Sequence, residues 1–216
     1  MKKIISFSLW GDNPVYTQGA IRNAELAKEI YPDWVCRYYI GKSTPNDIVV
    51  KLQNFENTEV IVMDSDGDWT GMFWRFYPAS EDDVDVMISR DCDSRLNNRE
   101  RDAVNEWLSS DKGFHIMRDH PWHNTAILGG MWGSRKGIVN EMKTLIDSYV
   151  KGNFWQVDQN FLKEFIYPKV KDQSLVHDEF FEKKPFPSKR PLNIFVGQAF
   201  NEKDEFLHPE HIKLIN

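Results

Sequence analysis

The sequence predicts an α/β fold with a mainly parallel central sheet flanked by helices, in one large domain or two small ones. Two observations carry this. Short apolar runs of strand length alternate with segments whose apolar residues recur at helical spacing. Gly, Pro, Asn and Asp clusters separate them, and no repeat, low-complexity tract or obvious linker interrupts the 216 residues.

The elements follow in order. Residues 4–9 are a short β run, broken by Gly11-Asp12-Asn13-Pro14. Residues 15–31 read as a helix, with Ala20, Ala24, Ala27 and Tyr31 on one stripe, and Pro32 ends it. Residues 34–40 form a second strand, 45–55 a short helix and 59–63 a third strand. A helix over 71–77 is stopped by Pro78, and 84–89 is the fourth strand. Residues 98–108 are helical, and strands are expected at 114–117 and 127–132. Helices over 138–150 and 155–166 precede short strands at 174–177 and 193–196.

The totals restrict function. The net charge of −6 argues against broad nucleic-acid binding, which needs a basic face. An acidic chain that binds phosphate needs a local cation, either placed Lys/Arg or a metal. No apolar run approaches the roughly 18 residues of a transmembrane helix. The start, MKKIISFSLWGDN, is too briefly apolar for a signal peptide and reads as the first strand. Two cysteines, Cys36 and Cys92, offer neither a disulfide framework nor a cysteine zinc site, and they fit a reducing cytoplasm. Eight Trp, seven Tyr and fourteen Phe supply flat side chains for a core or for stacking on ligands.

In open α/β sheets, ligands bind beyond the carboxyl ends of strands. Polar residues directly after strands therefore stand out: Trp10-Gly11-Asp12, Asp91-Cys92-Asp93, Arg118-Asp119-His120 and His177-Asp178. Asp91 and Asp93 share one side of an extended chain, about 6.5–7 Å apart, and a turn is needed to converge them on one ion. Hard carboxylate oxygens suit Mg²⁺ or Mn²⁺ bridging to a diphosphate. The plain alternative is a solvated strand end paired to Arg90 and Arg95, with Cys92 as a small buried side chain. In RDHPWH, the residues Asp119, His120 and His123 are of metal-ligating type, but Pro121 works against helical presentation.

Taken together, FSLWGDNPVYTQGAIRNAELAKE and FWRFYPASEDDVDVMISRDCDSR, followed by ILGGMWG and FWQVDQNFL, resemble the GT-A (Rossmann-like) glycosyltransferases. The likeness is nearest to the small chlorella-virus glycosyltransferase domain and its bacterial relatives, and more distant to glycogenin-type enzymes. It spans roughly residues 3–200. The motifs R-D-x-D-S-R, R-D-H-P-x-H, G-G-M-W-G and F-V-G are similar in order and spacing rather than specific singly.

The resemblance implies a single domain over 1–216, with nucleotide binding in about 1–95 and donor-sugar and acceptor binding in about 96–216. It implies a UDP-sugar donor (UDP-glucose or a similar hexose or deoxyhexose), a glycan or glycoprotein acceptor, and Mn²⁺ or Mg²⁺. Asp93 would hold the metal; Asp91 would share it or hold the ribose. Phe7, Ser8 and Leu9 would line the nucleoside pocket, Tyr16 would stack on the base, and Arg75 would face the diphosphate or hold an aspartate. Gly129 and Gly130 would let backbone amides approach the donor sugar, beside Asp158 and Gln159. His177 would be a third metal ligand, with His208 its rival, since SLVHDEFFEKKPFP lacks the Gly and final Trp of the glycogenin-type motif. Lys189 and Arg190 would reach the leaving diphosphate. Asp119 and His120 would bond sugar hydroxyls over a Trp122 platform, and Asp158 and Asp119 are the candidate bases for an inverting reaction. The relatives with this Gly-Gly and D-Q layout are mostly retaining. Two other classes stay open. A nucleotidyltransferase would carry a basic, Gly-rich first loop, where this chain has WGDNPVY. A carbohydrate-binding module would need aromatics but no acid pair.

Overall fold

The computed structural model describes residues 1–149 and 152–215. Seven strands form one sheet in the order β3-β2-β1-β4-β6-β5-β7. These are β1 (Lys3–Leu9), β2 (Val35–Ile40), β3 (Thr58–Val62), β4 (Val86–Ser89), β5 (Phe114–Arg118), β6 (Trp132–Arg135) and β7 (Ser174–Asp178). Every pairing is parallel except those of β6, which runs antiparallel to both β4 and β5. The mainly parallel expectation therefore holds, with one reversed strand between the two parallel groups.

The two faces of β1 divide the core by the period of a strand. Ile5, Phe7 and Leu9 pack with Ala20, Ala24 and Ala27 of α1 (Pro14–Ile30) and with Trp107 of α3 (Asn98–Ser109). Ile48 and Leu52 of α2 (Asn46–Gln53) complete this layer. Ile4 turns the other way, to Phe73, Phe76, Phe114, Trp132, Met142 of α4 (Met142–Ser148) and Phe161 of α5 (Val157–Phe161). Asn13 caps α1 by accepting the Val15 N–H at 3.0 Å, with Pro14 at the first helical position, where its missing N–H costs nothing.

Several elements differ from expectation. The segment over 71–77 is a longer run of 3-10 turns, Trp69–Ser80, started by Asp68 capping Thr70, and Pro78 lies inside it. Residues 127–131 are not strand. Leu128 closes a turn onto the Met131 N–H through Gly129-Gly130, and β6 begins only at Trp132. Residues 193–196 are not strand either. Asn193 has a left-handed backbone, and the Val196 N–H is bound by the Asp119 carboxylate rather than by a neighbouring strand. The helix over 138–150 shortens to α4, and its expected last residue, Val150, lies outside the described residues. The helix over 155–166 starts at Val157 and widens into a π turn at Leu162–Ile166. It then continues as α6 (Tyr167–Val170) past Pro168, which has no N–H to give an ordinary helical ladder.

Candidate active site

A cleft of about 560 Å³ opens at the carboxyl ends of β1 and β4. Its walls include Ser8, Leu9, Tyr16, Asp91, Asp93, Gly129, Asp158 and Gln159. Trp10, Trp69 and Trp155 also line it.

The acid pair sits on a turn, as its convergence requires. The Asp91 carbonyl accepts from the Ser94 N–H at 3.3 Å and from Ser94 Oγ at 2.9 Å. Helix α1 clamps this turn. Asn23 Nδ2 donates to the Ser94 carbonyl at 2.9 Å, and Asn23 Oδ1 accepts the Leu96 N–H at 3.0 Å. Gly19 lets the helix approach, since a Cβ there would stand 2.0 Å from the Cys92 carbonyl oxygen. Cys92 is a small buried side chain, as expected, with its thiol directed to the Ser8 carbonyl.

Arg75 is the hub. It enters from the 3-10 run, where its N–H donates to Ser8 Oγ at 3.0 Å. Its guanidinium, buried from water, bonds Asp91 through Nη1 and Asp158 through Nη2, the latter at 2.8 Å. Asp158 also receives the Gln159 N–H on Oδ1 at 2.9 Å. Burial pushes the Asp158 carboxyl above its ordinary range, against the pull of Arg75. The Gly-Gly pair is explained by this ionic cluster. A Cβ on Gly129 would stand 2.4 Å from both Arg75 Nη2 and Asp158 Oδ2, and one on Gly130 would stand 2.0 Å from Asp91 Oδ2.

Asp93 differs from its neighbour: it forms no ion pair among the described residues, whereas Asp91 holds Arg75. Burial and then the Asp91 charge push the Asp93 carboxyl up to about 7. Three carboxylates, Asp91, Asp93 and Asp158, stand on this cleft with one guanidinium shared between Asp91 and Asp158, which leaves a local excess of negative charge. Such an all-oxygen donor set fits a hard divalent cation. Asp91 and Asp93 are the residues that would hold it.

The remaining expected residues separate into those the structure brings to the cleft and those it does not. Tyr16 is on the wall and exposed. Phe7 is not; it is fully buried and stacked on Tyr38 at 4.8 Å, one residue out of phase with Ser8. His177 lies away from the acid pair, its Nδ1 2.8 Å from His115 Nε2 and its Nε2 3.4 Å from Glu106. His208 does not line the cleft; it pairs with Glu210. Asp119 is fully buried and saturated. Arg99 binds both of its oxygens at 3.0 Å, Arg190 binds Oδ1 at 2.6 Å, and Val196 N–H binds Oδ2 at 3.0 Å. Arg190 and Lys189 border a separate groove with Glu179 and Phe186. His120 donates from Nε2 to the His211 carbonyl at 3.0 Å and accepts the Trp122 N–H on Nδ1, while Trp122 is exposed. His123 reaches the cleft instead, accepting the Asp119 N–H on Nδ1 at 3.0 Å, and burial lowers its imidazole to about 3. Sequence reasoning marked Trp10 by its place directly after β1 but missed Asn23 and the other two cleft tryptophans, Trp69 and Trp155. The only signal for Asn23 was a polar residue beside the Ala20, Ala24 and Ala27 stripe of α1.

No protein-family model matches the chain, and no curated protein matches it in sequence. Solved structures do. A glycosyltransferase involved in the glycosylation of the major capsid of PBCV-1 aligns over 99% of this chain and 100% of its own, at 15% identity and TM-score 0.58. The mannosyltransferase PcManGT from Pyrobaculum calidifontis, solved with GDP-Man and Mn²⁺, aligns over 82% of this chain at 8% identity and TM-score 0.54. This chain spans 55% of that protein. A 4-diphosphocytidyl-2C-methyl-D-erythritol synthase from Anaerococcus prevotii aligns over 88% of this chain and 93% of its own, at 8% identity and TM-score 0.50. The chain has the GT-A fold, a mostly parallel sheet flanked by helices like that of its glycosyltransferase neighbours.

Proposed function

We propose that this protein is a metal-dependent glycosyltransferase that moves a sugar from a UDP-sugar to a hydroxyl of a glycan or glycoprotein. The observation that carries the reading is the unbalanced acid pair: Asp93 without an ion-pair partner beside an Asp91 held by Arg75, in an aromatic-walled cleft at a strand end. Mn²⁺ or Mg²⁺ held by Asp91 and Asp93 would bind the diphosphate and offset charge on the leaving group. Tyr16 and the Trp10 loop, in the N-terminal part of about 1–95, give the uracil and ribose flat and polar walls. Arg75 fixes Asp91 and Asp158 relative to each other, so the metal side and the sugar side of the cleft are set by one guanidinium. Asp158 and Gln159 offer hydrogen-bonding groups to the hydroxyls of a hexose or deoxyhexose such as that of UDP-glucose. Gly129 and Gly130 make room for Arg75, Asp158 and Asp91, and Gly129, on the cleft wall, would turn its backbone to the donor sugar.

Retention is favoured. Inversion needs a free carboxylate base within reach of the acceptor. Of the two expected bases, Asp158 is tied to Arg75 and Asp119 is saturated by Arg99 and Arg190. In a retaining transfer the donor phosphate takes the acceptor proton from its own face. Among the described residues no helix is long and apolar enough to cross a membrane. The two free cysteines suit a reducing compartment, and we assign the reaction to the cytoplasm, of a host cell if the gene is viral.

A screen of UDP-, GDP- and dTDP-sugars for hydrolysis with Mn²⁺ tests the reading. Turnover of a UDP-hexose is expected. Release of pyrophosphate from UTP and a sugar phosphate would instead make the protein a nucleotidyltransferase, a reading favoured by its similarity to the synthase. The first loop, with Asp12 and Asn13 on the cleft wall and no Lys or Arg, is poorly suited to a triphosphate. Calorimetry showing no UDP binding with or without Mn²⁺ would leave a carbohydrate-binding module.

A further inference from the structure

The C-terminal turn carries a second set of metal-ligating side chains, away from the cleft. His208 flanks the 3-10 turn Pro209–Leu214, and Glu210 and His211 lie within it. His208 Nδ1 is 3.5 Å from Glu210 Oε1, and His211 Nε2 is 3.8 Å from the same oxygen. The two imidazoles stack nearly parallel, 4.8 Å between centroids and 16° between planes. All three ligand atoms fall within 4.8 Å of one another. Around a tetrahedral zinc with bonds of about 2.0–2.2 Å, neighbouring ligand atoms stand roughly 3.3–3.6 Å apart. Small side-chain rotations therefore complete the arrangement.

We propose that His208, Glu210 and His211 form a binding site for a borderline divalent metal of the zinc class, distinct from the acid pair. The donor chemistry separates the two sites. Two imidazoles and one carboxylate select Zn²⁺, Ni²⁺ or Cu²⁺, whereas the all-oxygen set of Asp91 and Asp93 selects Mg²⁺ or Mn²⁺. None of the three residues lines the cleft. The site is also partly held in place. The His211 carbonyl accepts from His120 Nε2 at 3.0 Å, and the His211 ring packs against Trp122 at 4.3 Å. His208 and Glu210 stay open to solvent, which gives an ion its entry path and leaves the fourth position to water. Closing this ring of ligands would fasten the C-terminal turn beside the loop that follows β5. The proposal stands independently of the nucleotide-sugar reading.

The test is Zn²⁺ titration of the full chain by calorimetry, without nucleotide, for the parent, His208→Ala/His211→Ala and Asp91→Asn/Asp93→Asn. One tight equivalent is expected in the parent and in the acid-pair variant, weakened at least about tenfold in the histidine variant. NMR of the parent supplies a check that needs no variant. Zn²⁺ should shift the ring protons of His208 and His211 and leave the buried His115 unmoved. No tight event in the parent, a tight event that survives loss of both histidines, or one that disappears with the acid pair would each overturn the assignment.

Discussion

Two aspartates, each beyond the end of a strand in the same sheet, have opposite fates. Asp119, after β5, accepts from two arginines and a backbone N–H and is closed off from water. Asp93, after β4, has no ion-pair partner among the described residues and opens on the cleft. In sequence the two sites look alike, each an aspartate beside arginine after a short apolar run. What differs is the supply of donors. Around Asp119, Arg99 arrives from α3 and Arg190 from the loop after β7, so the negative charge is neutralised inside the protein. Around the acid pair, one guanidinium serves Asp91 and Asp158, and Asp93 is left over. A half-buried acid short of partners on a cleft wall reads as a place for a ligand, and a buried one with all its partners reads as a rivet.

Substitution should separate the two. Asp119→Ala takes a fully buried carboxylate from the buried Arg99 and the half-buried Arg190, and a cost of about 3–5 kcal/mol is expected. Urea denaturation measures it, and UDP–Mn²⁺ affinity per folded molecule should stay near that of the parent. Asp93→Asn should do the reverse: the fold persists while UDP–Mn²⁺ affinity falls by about 100-fold, or about 2.7 kcal/mol. Were Asp93→Asn to bind UDP–Mn²⁺ like the parent, the acid pair would not be the metal site.

Gly130→Ala probes the join between the ionic cluster and the donor side. The added Cβ would meet Asp91 Oδ2 at 2.0 Å, so Asp91 or the loop must shift. Overpacking of this kind costs about 1–3 kcal/mol. Thermal unfolding should show that loss, together with a weaker Mn²⁺-dependent UDP affinity. A variant as stable and as tight as the parent would mean that the loop yields freely.

The sheet was legible because strands and helices announce themselves by period. Residues 4–9, 34–40 and 98–108 all fall within about a residue or two of β1, β2 and α3. Failures came where an apolar run is buried without being extended. Residues 127–131 are core-facing, yet the Gly-Gly turn serves Arg75 and Asp158, a contact far away in sequence. Residues 193–196 are held by a side chain, Asp119, and side-chain anchoring leaves no periodic signal. The site followed the same logic. Ser8, Tyr16, Arg75, Asp158 and Gln159 converge on the cleft with the acid pair. Phe7 went to the core because strand phase puts alternate residues on opposite faces. His177 went to His115 because its strand, β7, pairs with β5, far from β4 in the sheet order.

The smallest expected effect is one of pH, and it follows from the charge left over at Asp93. Its carboxyl ordinarily titrates at 3.8 and is raised to about 7 in the fold. Between those values the native protein holds a proton that the unfolded chain has released. Stability therefore falls as pH rises from about 4 to about 7, and the full cost is present above that window. With the cleft open to some solvent, about 1–2 kcal/mol is a fair magnitude. Asn cannot ionise, so metal-free Asp93→Asn should exceed the parent in stability by this amount at pH 8 and match it near pH 4. Urea denaturation in chelator at the two pH values reads the difference. A gap that does not change with pH would mean that the carboxylate is already compensated in the metal-free protein, and the contrast with Asp119 would disappear.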